Sequence, residues 1–203
     1  MLEVNFVPFP VLETERLVLR RTTLYDANDY FYLRSSPEAM KHICKPLQKS
    51  VEETKEMIYK INEMIAFNDG ISWAVCLKNN SKMIGSVSFH RIYKDHYRAE
   101  IGYMLHPDYW RLGIISEAVD AIINYGFNTL QFHSIEAHID PTNIGSYYLC
   151  LSYSPSFIST NIKFIINSVI VHKRSKPSTI IMYDYFSIII TFHHKTSCVS
   201  SIP

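Results

Sequence analysis

His106-Pro107-Asp108-Tyr109-Trp110-Arg111-Leu112-Gly113-Ile114-Ile115-Ser116-Glu117-Ala118 joins an apolar strand pattern, through a short turn, to the start of a long amphipathic helix. Backbone N–H groups in the first turn of a helix have no partner within it, and the helix dipole adds positive potential there. Such a junction is a natural cradle for a phosphate group. Gly113 stands where the backbone must come close to a ligand, because a side chain would obstruct the approach. The stretch therefore predicts strand, anion-binding turn and helix, in that order.

Upstream of it, Ile71–Leu77, Met83–Ile92 and Ala99–Leu105 read as three strands with the short spacings of antiparallel hairpins. Ahead of these, Arg16–Arg20 alternates as a first strand and Leu24–Arg34 reads as a helix with Asp26 in its first turn. Ser50–Phe67 carries a stronger helix signal. Ser50 and Glu53 form a capping-box pattern, and Met57, Ile58, Ile61, Met64 and Ile65 make one apolar face. Downstream, Ile114–Leu130 is expected to be a helix with Ala118, Ile122 and Phe127 inward, and Ser134–Ile139 a strand. Asp140-Pro141-Thr142-Asn143 reads as a turn, and no convincing helix pattern follows it. The β-α-α-β-β-β-α-β order predicts an α/β (α+β) fold, with a mixed, mostly antiparallel central sheet flanked by helices.

Composition narrows the function classes. The chain has 203 residues, 47% hydrophobic and 19% charged, which suits one soluble globular domain. A formal net charge of +1, without a sustained basic stripe, argues against a nucleic-acid partner. No apolar run approaches the roughly 18 residues of a membrane span, and the N-terminus lacks a signal-peptide pattern. Cys44, Cys76, Cys150 and Cys198 are scattered and fit neither a zinc pattern nor a disulfide framework, so a reduced, cytoplasmic protein is expected. His133 and His138 fall on opposite faces of their strand, which gives no metal site; His193-His194 is an isolated pair. Tyr30, Phe31 and Tyr32 read as core or loop residues rather than as an acceptor cleft.

Ala99-Glu100-Ile101-Gly102-Tyr103-Met104-Leu105, Pro107-Asp108-Tyr109-Trp110, Gly113 and Ser116-Glu117-Ala118 together resemble the GNAT N-acetyltransferase superfamily. Within it the likeness is to the ribosomal-protein (alanine/serine) N-terminal acetyltransferase branch, whose opening strand is similar to Leu12–Arg20. Asn124-Tyr125-Gly126-Phe127, His133–Ala137 and Asp140-Pro141-Thr142-Asn143 match later elements, so the resemblance covers residues 12–146. It implies a GNAT-like sheet and acetyl-CoA as cosubstrate. It also implies direct transfer of the acetyl group to a primary amine, either a protein N-terminus or a small amine, by a monomer or homodimer.

The resemblance further implies that the strand at Tyr103, Met104 and Leu105 bonds the pantetheine arm. The pyrophosphate would rest on the turn formed by Trp110, Arg111, Leu112, Gly113, Ile114, Ile115 and Ser116. Arg111 stands where the family commonly has glycine, and Ile115 is bulkier than its usual glycine or alanine. Asn143 is implied as a cofactor or helix-start contact. Acetyl transfer requires loss of the ammonium proton and protonation of the leaving thiolate. Glu100 is the candidate base, or a surface carboxylate on an alternating strand. Ser146 is the candidate acid, or a plain helix N-terminal residue. The superfamily's tyrosine seven residues beyond Asn143 is replaced by Cys150.

From residue 147 the composition changes. Glycine is absent after Gly145, Asp184 is the only acidic residue beyond Asp140, and Ser and Tyr crowd the stretch up to Pro155. Residues 1–146 are therefore expected to form the acetyltransferase domain and 147–203 an atypical segment, either a shifted reading frame or a diverged tail. Phe164–His172 and Thr179–Phe192 are β-branched runs able to pair as strands. If the tail removes activity, a degenerate acyl-CoA-binding homologue is the remaining reading.

Overall fold

A seven-stranded sheet runs β1 to β7 in chain order, so every strand lies beside its sequence neighbour. The computed structural model describes residues 1–140, 142–152 and 168–172, the last of these by their backbone. The strands are β1 (Leu12–Glu13), β2 (Leu17–Arg21), β3 (Ile71–Leu77), β4 (Asn80–Tyr93), β5 (Arg98–Leu105), β6 (Ser134–His138) and β7 (Ser168–His172). All pairings are antiparallel except β5 with β6. That exception has a covalent cause, since a parallel pair needs a crossover and α4 (Ile114–Asn128) supplies it. Thr179–Phe192 and the His193-His194 pair lie outside the described residues.

Between β2 and β3 come α1 (Ala27–Ser35), the short α2 (Pro37–Met40) and α3 (Val51–Ala66). Ser50 caps α3 by accepting from the Glu53 amide at 3.2 Å. The return bond differs from the expected box: the Glu53 carboxylate accepts from the Lys49 amide at 2.8 Å, one residue earlier. Either way an otherwise orphaned N–H at the helix start is satisfied. The expected element order holds, with β1, α2 and α5 (Ile144–Ser152) added, and β7 falls within the β-branched run Phe164–His172.

Strand alternation sorts the core into two layers. Leu17, Leu19, Trp73, Val75, Val87, Phe89, Ala99 and Ile101 pack against Ala118, Ile122 and Phe127 of α4. On the other face Ala74, Cys76, Met83 and Met104 meet Ala27, Tyr30 and Leu33 of α1, Met40 of α2 and Ile58 of α3. Because both faces are covered there, β3 is buried along nearly its whole length. Among the described residues no helix is long and apolar enough to cross a membrane.

Helix α5 departs from the sequence expectation. Its side-chain pattern is a poor helix, yet Asn143 Oδ1 accepts from the Ser146 amide at 3.1 Å and starts it. Leu149 and Cys150 then bury themselves in the α4-side core. Local capping and tertiary burial outweigh weak intrinsic propensity here.

Candidate active site

The turn between β5 and α4 is built from backbone of unusual hand. Arg111 and Gly113 both adopt left-handed conformations, with φ of 61° and 73°, on either side of Leu112. Alternation of hand turns successive N–H groups toward one concavity, which is the geometry that receives an anion. Within α4 the Glu117 amide already bonds the Gly113 carbonyl at 3.1 Å, so the amides before it form the helix's open end. Trp110 is pinned below the turn by its indole N–H, which donates to the Leu105 carbonyl at 2.8 Å. Ile115, bulky for its place, packs against the core and so leaves the turn's concave side clear.

A clamp that the sequence reading did not anticipate holds this turn. Arg16 donates from Nε to Glu117 Oε2 at 2.6 Å and from Nη1 to the Leu112 carbonyl at 2.9 Å. The Arg16 amide and the Thr14 hydroxyl both donate to Glu117 Oε1. Partial burial pushes the Glu117 carboxyl up, but the bonds from Thr14 and Arg16 outweigh it and hold it below its ordinary value. A Cβ at Gly113 would lie 3.3 Å from Arg16 Nη2, so the guanidinium sits against the turn itself. Residues separated by about a hundred positions meet here, and no local pattern links them.

The left-handed backbone at Arg111 costs a non-glycine residue about 1 kcal/mol. Arg111→Gly is expected to raise unfolding stability by about 1 kcal/mol, read by urea denaturation. An unchanged or lower midpoint would mean that the arginine side chain offsets the strain through contacts of its own.

Strand β5 next to the turn has two different edges. It pairs with β4 along its whole length, but with β6 only through Arg98–Ile101. Gly102–Leu105 thus present an edge toward β6 that no described strand takes up. Tyr103, Met104 and Leu105 form that edge, with Met104 directed to the α1–α3 side and Leu105 to the α4 side. An unpaired edge of this kind accepts an extended chain of amides as a strand would.

The side chains flanking the opening divide by face. Glu100 is 8% exposed and its Oε2 has no hydrogen-bond partner. Around it stand His90 Nε2 at 3.0 Å from Oε1, Arg91 Nη1 at 3.5 Å from Oε2 and His138 Nε2 at 3.8 Å from Oε1. The buried-carboxylate alternative, rather than a surface one, is what the fold provides. On the opposite face, three residues along, Tyr103 reaches α5, with its hydroxyl 3.8 Å from Cys150 Sγ and Ser146 beside it. Burial pushes the Tyr103 hydroxyl well above its ordinary pKa, with the neighbouring Cys150 adding to the rise, so it stays protonated. Burial likewise raises the Cys150 thiol.

A third group closes the acceptor side. His42, just after α2, lies 3.1 Å from Asp140 on the turn beyond β6. Thr142 gives Asp140 both its amide and its hydroxyl, each at 2.8 Å. The Thr142 amide first, then His42 and the Thr142 hydroxyl, hold the Asp140 carboxyl at about 2. Stability from this tie is present above the ordinary carboxylate value of 3.8 and is lost as the pH falls toward about 2. Tyr32 stacks on His106 with centroids 4.6 Å apart, while Tyr30 is buried beside Ser86. His133 precedes β6, and among the described residues no cluster of three or more ligating side chains is placed to hold a metal.

Comparison with known proteins agrees with this geometry. The acetyltransferase (GNAT) domain family matches residues 16–151, and so reaches into α5. An uncharacterised N-acetyltransferase of Bacillus subtilis, YoaA, is 34% identical over 143 residues, covering 70% of this chain and 81% of its own. A GNAT-family acetyltransferase from Bacillus anthracis superposes with a TM-score of 0.61 at 26% identity, over 70% of this chain and 81% of that one. RimL, a ribosomal L7/L12 alpha-N-protein acetyltransferase solved in complex with coenzyme A, superposes with a TM-score of 0.64 at 18% identity, over 70% and 82%. With the left-handed turn, the parted strands and the matched family in agreement, the chain belongs to the GNAT acetyltransferases.

Proposed function

We propose that this protein moves the acetyl group of acetyl-CoA directly to a primary amine, and that the amine is a protein N-terminus. The observation that carries the reading is the division of proton-handling groups across the parted strands. A buried carboxylate stands on one face of β5 and a Tyr103–Ser146 hydroxyl pair on the other. Acetyl-CoA supplies an activated thioester. The left-handed turn at residues 110–116 holds its pyrophosphate on backbone N–H groups, and the Gly102–Leu105 edge holds its amide-bearing arm. Glu100 Oε2 takes the proton of the incoming ammonium; the amine nitrogen then bonds the acetyl carbon as the carbon–sulfur bond breaks. Ser146, beside a Tyr103 hydroxyl that stays protonated, gives its proton to the departing sulfur, and the second proton shed by the nitrogen as the amide forms restores the Ser146 hydroxyl.

Charge balance supports an N-terminal amine over a polyamine. Beside Glu100 and Glu136 stand Arg91 and Arg98, the latter 3.4 Å from Glu136, so among the described residues these two carboxylates are matched by two arginines and offer no acidic surplus for a polycation. Thiol release from acetyl-CoA is measured with peptides beginning in Ala or Ser and with spermidine. Turnover with the peptides is the expected result. Turnover with spermidine alone would reassign the acceptor, and thermal stabilisation by acetyl-CoA without turnover would favour a binding protein. Ser146→Ala and Tyr103→Phe are each expected to lower kcat about 10-fold, with little change in the KM for acetyl-CoA. Loss confined to KM would make them binding residues instead.

A further inference from the structure

We propose that His90 is a positioning residue for Glu100 and that its protonation state governs how strong a base that carboxylate is; this rests on Glu100 being the base. The sheet has an irregularity at the required place. Phe89 pairs with Ile101 and Arg91 pairs with Glu100, which leaves His90 as one extra residue in β4. In regular alternation, His90 and Arg91 would point to opposite faces. The bulge re-aims Arg91, as such insertions do, so that it joins His90 at the same carboxylate. His90 Nε2 lies 3.0 Å from Oε1 and Arg91 Nη1 lies 3.5 Å from Oε2. Gly102 makes room for the ring, because a Cβ there would come within 3.1 Å of His90 Nδ1.

The arrangement leaves one oxygen engaged and one without a hydrogen bond. Oε1 lies 3.0 Å from His90 Nε2, whereas Oε2 is buried with no hydrogen-bond partner. A buried acceptor left unpaired is costly, and an incoming ammonium would relieve that cost by donating to it. Neutral His90 offers the carboxylate an Nε2–H but no net charge, a weaker pull toward the ionised form than a full charge exerts. Protonated His90 adds a full positive charge at the same distance, which favours the carboxylate form and weakens the base.

The other charges facing Glu100 are accounted for. Arg91 keeps its charge throughout. His138 lies farther away at 3.8 Å and is engaged at 3.0 Å by Glu136, which Arg98 also approaches. His90 is 42% exposed, so it exchanges protons with water while its partner is 10% exposed. Histidine is the side chain whose ordinary titration falls in the neutral range. Turnover should therefore decline on acidification more steeply than protonation of the acceptor amine alone requires.

The test uses the full chain with acetyl-CoA and a peptide beginning in Ser, following kcat/KM from about pH 5.5 to about pH 8.5. His90→Ala is expected to lower kcat about 10-fold without changing the KM for acetyl-CoA. His90→Gln keeps an N–H donor that does not titrate; it should recover most of that loss and flatten the acid limb. His138→Gln should leave the limb in place. Wild-type rates and an unaltered limb in both His90 variants, with Glu100→Gln impaired, overturn this inference and leave Glu100 as base. Full activity in Glu100→Gln overturns both. The His90 ring also reports without turnover. Its NMR titration curve should change when Glu100 becomes Gln, and identical curves overturn the inference.

Discussion

Replacing Glu100 with Gln is expected to lower kcat for amine acetylation by about 100-fold, the scale of a lost general base. The KM for acetyl-CoA should stay within about twofold, because the change touches a step made only in the transition state. Glutamine preserves the volume of the side chain and offers an oxygen to His90, so the site should keep its shape. What it removes is the proton affinity of Oε2, the oxygen that has no hydrogen-bond partner in the fold. Arg91 loses its charged partner, but at 67% exposure it remains solvated and the effect on stability is small. Thiol release under saturating acetyl-CoA measures the outcome. A variant as fast as wild type would mean that water removes the ammonium proton and that Glu100 is a structural charge.

Gly113→Val should weaken acetyl-CoA binding by about 10-fold or more, the equivalent of one lost charge-assisted hydrogen bond to the pyrophosphate. The left-handed backbone at Gly113 is poorly tolerated by any β-branched residue, so valine would pull φ back toward negative values. That rotation re-aims the amides at the start of α4 and pushes a side chain toward Arg16 Nη2, 3.3 Å from the Cβ position. The clamp between Arg16, Leu112 and Glu117 would strain with it. A loss of about 1–2 kcal/mol in folding stability should accompany the binding defect. Calorimetric titration with acetyl-CoA reads the first effect and denaturant unfolding the second. Unaltered affinity in a folded variant would remove the turn from the binding site.

The two outcomes separate the halves of the site. On the proposed reading Glu100 acts on kcat and Gly113 on cofactor affinity, because one stands within β5 and the other beyond its far end. Arg111 belongs with the second half. Its left-handed φ marks the place where glycine is common in the family, and the chain accepts strain to keep an arginine there.

Much of this was written locally. The alternation of β2 to β5, the capping signal at Ser50 and the strand–turn–helix stretch from His106 to Ala118 each follow from side-chain chemistry within a few residues. The sequence alone thus determined the element order, the strand–turn–helix junction and the likeness to the acetyltransferase family. Helix α5 was not legible, because Asn143 as cap and the burial of Leu149 and Cys150 outweigh a poor propensity. Only the tertiary structure joined Arg16 to Glu117, Tyr103 to Ser146 and Cys150, and His42 to Asp140. The grouping of His90 and Arg91 around Glu100 also needed it, since a single extra residue in β4 brings Arg91 to the face that His90 takes by regular alternation after Phe89. The reason is physical: periodicity is set by bonds along the chain, whereas pairing across strands is set by register, which residue types alone do not specify.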